Sequence, residues 1–266
     1  MAENRPAIPE AVKREVRQQC FFGCAICGMP FFQYDHIEEY ADVREHVADN
    51  LVLLCPNHHS AKTTNKISKD RIIYAKREPF NASKEYTSGF RVEPSKEIDI
   101  FLGSNKITGW YPNGNGVHHA LWANGKSFFT IHSENGWLSI SMILTDSAGK
   151  VLLVVEKGEL VIATSSWDYV YEGSNIKIRS GMGYIQLDMN LSDNFVEIIN
   201  GYFIDDYNDG FFVSKGTLNL VNGKINKLSV AGSTFNGNGF GGVGILNRSK
   251  FPSLSPPSGF GLFCPY

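Results

Sequence analysis

Few cysteines and no long apolar run set the first limits on this chain. Among 266 residues there are five cysteines, a low and odd count that a disulfide framework does not explain. No apolar stretch approaches the roughly 20 residues that a membrane-spanning helix needs, so no membrane partner is expected. The opening residues, Met1 to Cys20, are charged and lack the apolar centre of a secretory leader, which makes a cytoplasmic location the expectation. An excess of one charge is missing too. The formal net charge is −2, which argues against a body that binds nucleic acid over its whole surface. The composition of a disordered chain is also absent, because 42% of residues are hydrophobic and 20% charged, enough for a sizeable core. Single domains cluster near roughly 100–150 residues, so two domains are expected.

What is present is concentrated in a short stretch. Three of the five cysteines lie in Cys24-Ala25-Ile26-Cys27 and at Cys55, and Cys55-Pro56-Asn57-His58 repeats the two-residue spacing of the first pair. Cys24, Cys27, Cys55 and His58 form a Cys₃His set with the spacing of a structural zinc site, in which thiolates select zinc and four protein ligands leave no open position. Such an ion staples a fold too small to rely on its core alone. Cys20 falls outside this set. With Val12 and Val16 it recurs at four-residue spacing along one edge of a helix running from Pro9 to about Phe21, so it reads as a small buried hydrophobe.

The same pattern reading places short strands at Phe31–His36 and Leu51–Leu54, a short helix opening at His58, and a second helix over Ser68–Arg77 ended by Pro79. From Ser60 to Lys84, Lys62, Lys66, Lys69, Arg71, Lys76, Arg77 and Lys84 face only Asp70 and Glu78. This local positive stripe is suited to holding a phosphate backbone.

Asp35-His36, Asn50 within Asp49-Asn50-Leu51, and His59 directly after the last zinc ligand remain. Here the sequence resembles the HNH endonuclease family over about residues 9–80. The resemblance implies a ββα-metal fold pinned by the zinc. It implies His36 as general base, an imidazole being suited to that role near neutral pH. Asp35 and His59 would hold a catalytic divalent ion such as Mg²⁺, Mn²⁺ or Ni²⁺, and Asn50 would orient His36. DNA is the implied partner, with Lys62, Lys66, Lys69 and Arg71 as backbone contacts. Two departures stand out. The fourth zinc ligand is His58 in place of Cys, and Glu38, Glu39 and Tyr40 stand where the family often has a proline. His46 has no counterpart and reads as a surface residue.

After a charged junction at 86–105 the character changes. Strand-like runs recur about every ten residues from Leu138 to Val221, separated by turn signals that include Lys157-Gly158, Asn200-Gly201 and Asn222-Gly223. This predicts an all-β domain over 106–232, as a sandwich, a barrel or a stacked-strand array. Residues 233–266, rich in Gly, Ser and Pro, read as loop or tail. His118, His119 and His132 read as structural. Trp110, Trp122, Trp137, Trp167, Tyr169 and Tyr171 read as core, with the lining of a ligand or modified-base pocket as the other reading.

The expected fold class is therefore α+β, a small zinc-stapled nuclease domain over 1–85 followed by an all-β domain. The expected function is metal-dependent DNA cleavage, with the β domain serving recognition, oligomerisation or activation, and genome defence suggested by analogy alone. Two alternatives stay open. One is a zinc-stapled DNA-binding module without cleavage; the other is a ligand-sensing β domain that controls a nuclease.

Overall fold

The computed structural model describes residues 6–110, 115–192, 194–223, 225–237, 239–256 and 258–266. Contacts divide the chain into two compact units, the first of Met1–Phe90 with Val161–Tyr171, the second of Arg91–Leu160 with Glu172–Tyr266. Among the described residues the helices lie in the first unit and strands dominate the rest, so the chain is α+β and mostly β. No helix is long and apolar enough to cross a membrane.

In the first unit, helix α1 (Glu10–Gln19) starts after Pro9, whose φ of −59° already suits a helix entrance. Its inner face carries Val16 into a core with Cys20, Ala48, Ile72 and Ala75. A two-stranded antiparallel sheet follows, β1 (Gln33–His36) against β2 (Leu51–Leu54), with Asp35 opposite Val52 and His36 opposite Leu51. All four β2 side chains are completely buried, which explains why Leu51-Val52-Leu53-Leu54 reads as an unbroken apolar run instead of an alternating one. Between the strands lies a single-turn helix, α2 (Tyr40–Val43), which the sequence reading does not anticipate. Helix α3 (Pro56–Thr63) has Pro56 in its first turn, and α4 (Lys69–Arg77) is capped by the Ser68 hydroxyl, which accepts from the Arg71 backbone N–H.

The first unit is discontinuous for an electrostatic reason. Arg17 on α1 and Asp168 are 1% and 0% exposed, and they pair through two parallel bonds, Nε to Oδ1 at 2.8 Å and Nη2 to Oδ2 at 3.1 Å. Arg17 Nη1 also donates to the Tyr34 hydroxyl at 2.5 Å. A buried guanidinium requires this degree of pairing. The adjacent Tyr169, fully buried, donates to the Pro30 carbonyl at 3.1 Å, and the Arg14 guanidinium lies over Trp167 at 4.6 Å. Trp167, Tyr169 and Tyr171, which the sequence groups with the β region, thus belong to the first unit. Alternation and turn spacing do not reveal which distant charge a strand residue will pair with.

In the second unit most strands pair antiparallel with their neighbours in sequence, in ladders that meet at one long strand. That strand is the ten-residue Phe195–Ile204. Its first part pairs antiparallel with Tyr184–Leu191 and parallel with Asp99–Leu102; from Gly201 onward it pairs with Gly210–Ser214. Asn200-Gly201 is therefore no turn, contrary to expectation. It is where one strand passes between ladders, and a Cβ at Gly201 would stand 3.1–3.3 Å from Ile198, Leu187 and Leu144. The dipeptide serves close packing here.

The segment 233–266 also departs from the expected loop or tail. It contains the strands Thr234–Asn236, Gly241–Leu246 and Phe260–Pro265, the middle one buried throughout and paired parallel with Gly116–Ala123. Its glycines mark close backbone approach. A Cβ at Gly241 would lie 2.1 Å from the His119 carbonyl oxygen, and one at Gly242 would lie 2.7 Å from Ile107. Asn238, within the same glycine run, lies outside the described residues. The junction 86–105 likewise holds the strand Asp99–Leu102, with Ile100 and Leu102 completely buried.

Buried polar groups of the second unit are tied into its turns. Asp209, completely buried, accepts from the Gly223 N–H at 2.8 Å, from Asn124 at 3.0 Å and from Asn247 at 2.9 Å, and it faces the Lys250 ammonium at 3.3 Å. His119 and His132 each bond a serine hydroxyl, Ser127 and Ser141, at 2.9 and 2.8 Å. His118 bonds the Gly239 carbonyl at 3.0 Å.

Candidate active site and metal centre

The first cysteine pair lies on a knuckle closed by backbone bonds. Gly28 N–H donates to the Cys24 carbonyl at 2.7 Å, Cys24 N–H to the Met29 carbonyl at 2.8 Å, and Ala25 N–H reaches across to Leu53 at 2.8 Å. Cys55 and His58 sit at the entrance of α3. Their ligand atoms converge. His58 Nδ1 is 3.3 Å from Cys24 Sγ and 3.2 Å from Cys55 Sγ, Cys27 Sγ is 3.8 Å from Cys55 Sγ, and all four atoms lie within 4.8 Å of one another. Tetrahedral zinc with bonds of about 2.3 Å to sulfur and 2.0 Å to nitrogen has edges of about 3.5–3.8 Å, so the donors fit it. Among the described residues this is the one cluster of three or more such ligands.

The closely packed thiols perturb one another. A hydrogen bond from Cys27 draws the Cys24 thiol down to about 4, and the same bond pushes Cys27 up. Burial pushes Cys55 up. A bound metal allows all three to become thiolates.

The other polar cluster lies between β1 and α3. Successive residues on a helix diverge by about 100°, so His58 turns toward the cysteines while His59 turns toward β1. His59 Nδ1 is 2.6 Å from Asp35 Oδ2. Asp35 Oδ1 accepts from Lys62 Nζ at 2.8 Å, and the same ammonium donates to the His36 carbonyl at 2.6 Å and to Glu39 at 3.2 Å. Asp35 and His36 are buried, at 7% and 4% exposure, on the wall of a cleft of about 460 Å³ that also takes in His59, Tyr40 and Lys69.

The segment bearing both clusters is similar to a known family. Residues 24–65 match the HNH endonuclease family. The match covers the knuckle, β1, β2 and α3, and excludes α4 and the second unit. No curated protein and no solved structure matches the chain.

Within the HNH segment the residues singled out from sequence behave differently. Asp35, His36 and His59 come together in the cleft. Asn50 instead braces the main chain beyond His36, its Oδ1 accepting from the Glu38 N–H at 2.7 Å and its Nδ2 donating to the Glu38 carbonyl at 3.1 Å. It therefore acts on the backbone two residues past the imidazole.

The basic residues also separate. Lys66 and Arg71 are exposed, whereas Lys69 forms an ion pair with Glu38. Lys62 is half-buried and its three acceptors lie inside the cleft. Lys76, part of the positive stripe, turns inward to Gln19 at 2.5 Å, and burial lowers its pKa.

One contact escapes sequence reasoning altogether. His46, expected at the surface, is half-buried, with Nδ1 at 3.1 Å from His36 Nε2 and Nε2 at 2.8 Å from the Pro6 carbonyl. Tyr40 stacks on His46 with ring centres 4.7 Å apart and meets His36 edge-on at 5.5 Å. The sole sequence signal is an aromatic residue and a histidine in the loop that closes β1 onto β2.

Proposed function

We infer that this protein is a metal-dependent DNA endonuclease that hydrolyses phosphodiester bonds in the cleft between β1 and α3. The observation that carries the reading is the 2.6 Å approach of Asp35 to His59 beside the buried His36, within the HNH-matching segment. Simple DNA binding has no use for a carboxylate and an imidazole held at that distance next to a second imidazole.

His36 takes the proton from the attacking water as general base. Asp35 and His59 would supply an oxygen and a nitrogen to a divalent ion. Their spacing is within a few tenths of an ångström of the roughly 3 Å edge expected for octahedral bonds of about 2.1 Å, so the donors fit Mg²⁺, Mn²⁺ or Ni²⁺. When bound, such an ion offsets the charge that develops on phosphorus and on the departing oxygen. Lys62 keeps Asp35 in place and balances its charge. Asn50 holds the turn that follows His36. Lys66, Lys69 and Arg71 contact phosphates flanking the scissile bond, Lys69 exchanging its Glu38 partner for DNA. Cys24, Cys27, Cys55 and His58 hold structural zinc, and the second unit provides target recognition, assembly or activation.

A supercoiled plasmid incubated with the full chain and Mg²⁺, Mn²⁺ or Ni²⁺ in turn should be nicked or linearised with at least one of them. Intact plasmid with every metal, from protein carrying its full zinc complement, would overturn the reading.

A further inference from the structure

Hydrogen-bond polarity around His46 assigns a role to a residue outside the family pattern. A carbonyl oxygen only accepts, so the 2.8 Å contact to the Pro6 carbonyl places a hydrogen on His46 Nε2. In a neutral imidazole the other nitrogen is then an acceptor. That nitrogen, Nδ1, lies 3.1 Å from His36 Nε2, so with His46 neutral His36 Nε2 is the donor between them. In that tautomer the ring lone pair of His36 lies on Nδ1. The relay then runs one way, from His36 through His46 to Pro6, and the Tyr40 ring stacks on His46 and meets His36 edge-on.

We propose that His46 is a positioning residue that sets the tautomer of His36, so that Nδ1 is the atom that takes the proton from water. The role rests on the nuclease reading above. It resembles the way a hydrogen-bonded partner sets the tautomer of a catalytic histidine elsewhere, with a neutral imidazole and a backbone carbonyl in place of a carboxylate.

The zinc-loaded full chain, with ¹⁵N in its histidine rings, is examined by long-range ¹H–¹⁵N correlation at neutral pH without added divalent ion. His36 and His46 should both be Nε2–H tautomers. His46→Phe keeps the ring that stacks on Tyr40 but has no acceptor. In it His36 should populate both tautomers, and kcat for plasmid nicking should fall roughly 10–100-fold, the scale of losing a residue that orients a reactive group, with KM and zinc content unchanged. His46→Asn, whose Oδ1 stands near the position of the lost Nδ1, should recover most of that rate.

An Nδ1–H tautomer of His36 in the wild type would overturn the proposal. So would full activity in His46→Phe, or His46→Asn no better than His46→Phe. Should His46→Phe fail to fold, the wild-type tautomer decides. Failure of the nuclease reading shows separately, as a wild type that cuts nothing while its ring nitrogens still report the polarity of the relay.

Discussion

The metal cluster and the cleft stand back to back on α3, and they use neighbouring histidines for different ends. Around His58 everything is closed: three sulfurs and one nitrogen within 4.8 Å of one another, tied by backbone bonds to the knuckle and to β2. Around His59 the arrangement is open. Two polar groups, Asp35 and His59, face a cleft of about 460 Å³, which under the proposed function would leave room for water and substrate beside a bound ion. The same residue type thus stands in a closed set of four donors on one side of α3 and in an open cleft on the other.

The comparison can be broken at its strongest point first. Cys27→Ala should remove the metal, whose binding contributes roughly 10–16 kcal/mol in small zinc folds. Metal analysis should find none, and the helical circular-dichroism signal of the first unit should disappear. Next, His36→Ala should reduce plasmid cleavage by roughly 10²–10⁴-fold, the usual worth of a general base, while zinc content and thermal midpoint stay at wild-type values. If the two variants lost the same properties, the division into cluster and cleft would be wrong.

A smaller effect sharpens the boundary. Asn50→Ala deletes two hydrogen bonds to Glu38, and urea titration should show a loss of about 1–3 kcal/mol with zinc retained. A stability equal to wild type would mean that Asn50 does not brace this turn. The smallest change belongs to neither region. Ser68→Ala removes the cap of α4 and should cost about 1 kcal/mol in the same titration, leaving both metal content and cleavage untouched.

Much of the first unit is legible from sequence because its signals are local. The two-residue spacing of the ligand pairs, the buried run Leu51–Leu54, Ser68 before α4 and Pro79 after it all act within a few residues of where they are read. The opposed directions of His58 and His59 follow from helix geometry alone. His46 is not legible, since its meaning comes from a partner across a loop and from a carbonyl forty residues earlier.

The second unit shows the same limit in its glycines. Asn200-Gly201 carries the local signature of a turn, yet tertiary packing makes it the crossing point of a long strand. Gly241, Gly242 and Gly244 read as loop, although neighbouring backbone and side chains leave no room for a Cβ. Low-complexity composition and close packing require the same residue for opposite reasons.

The pairing of Arg17 with Asp168 also has a consequence for the order in which the molecule is made. A ribosome delivers α1, the knuckle and the cleft long before it delivers the carboxylate that neutralises α1's buried guanidinium, which lies 151 positions later. Until then the early segment can set that charge only against the Tyr34 hydroxyl and, at 3.9 Å, the exposed Glu10 carboxylate, which is a disfavoured state for a buried guanidinium. Completion of the first unit therefore waits on synthesis of the strands encoded between its two pieces, and the cleft becomes fully assembled only as part of a chain that already carries Arg91–Leu160 of its second unit.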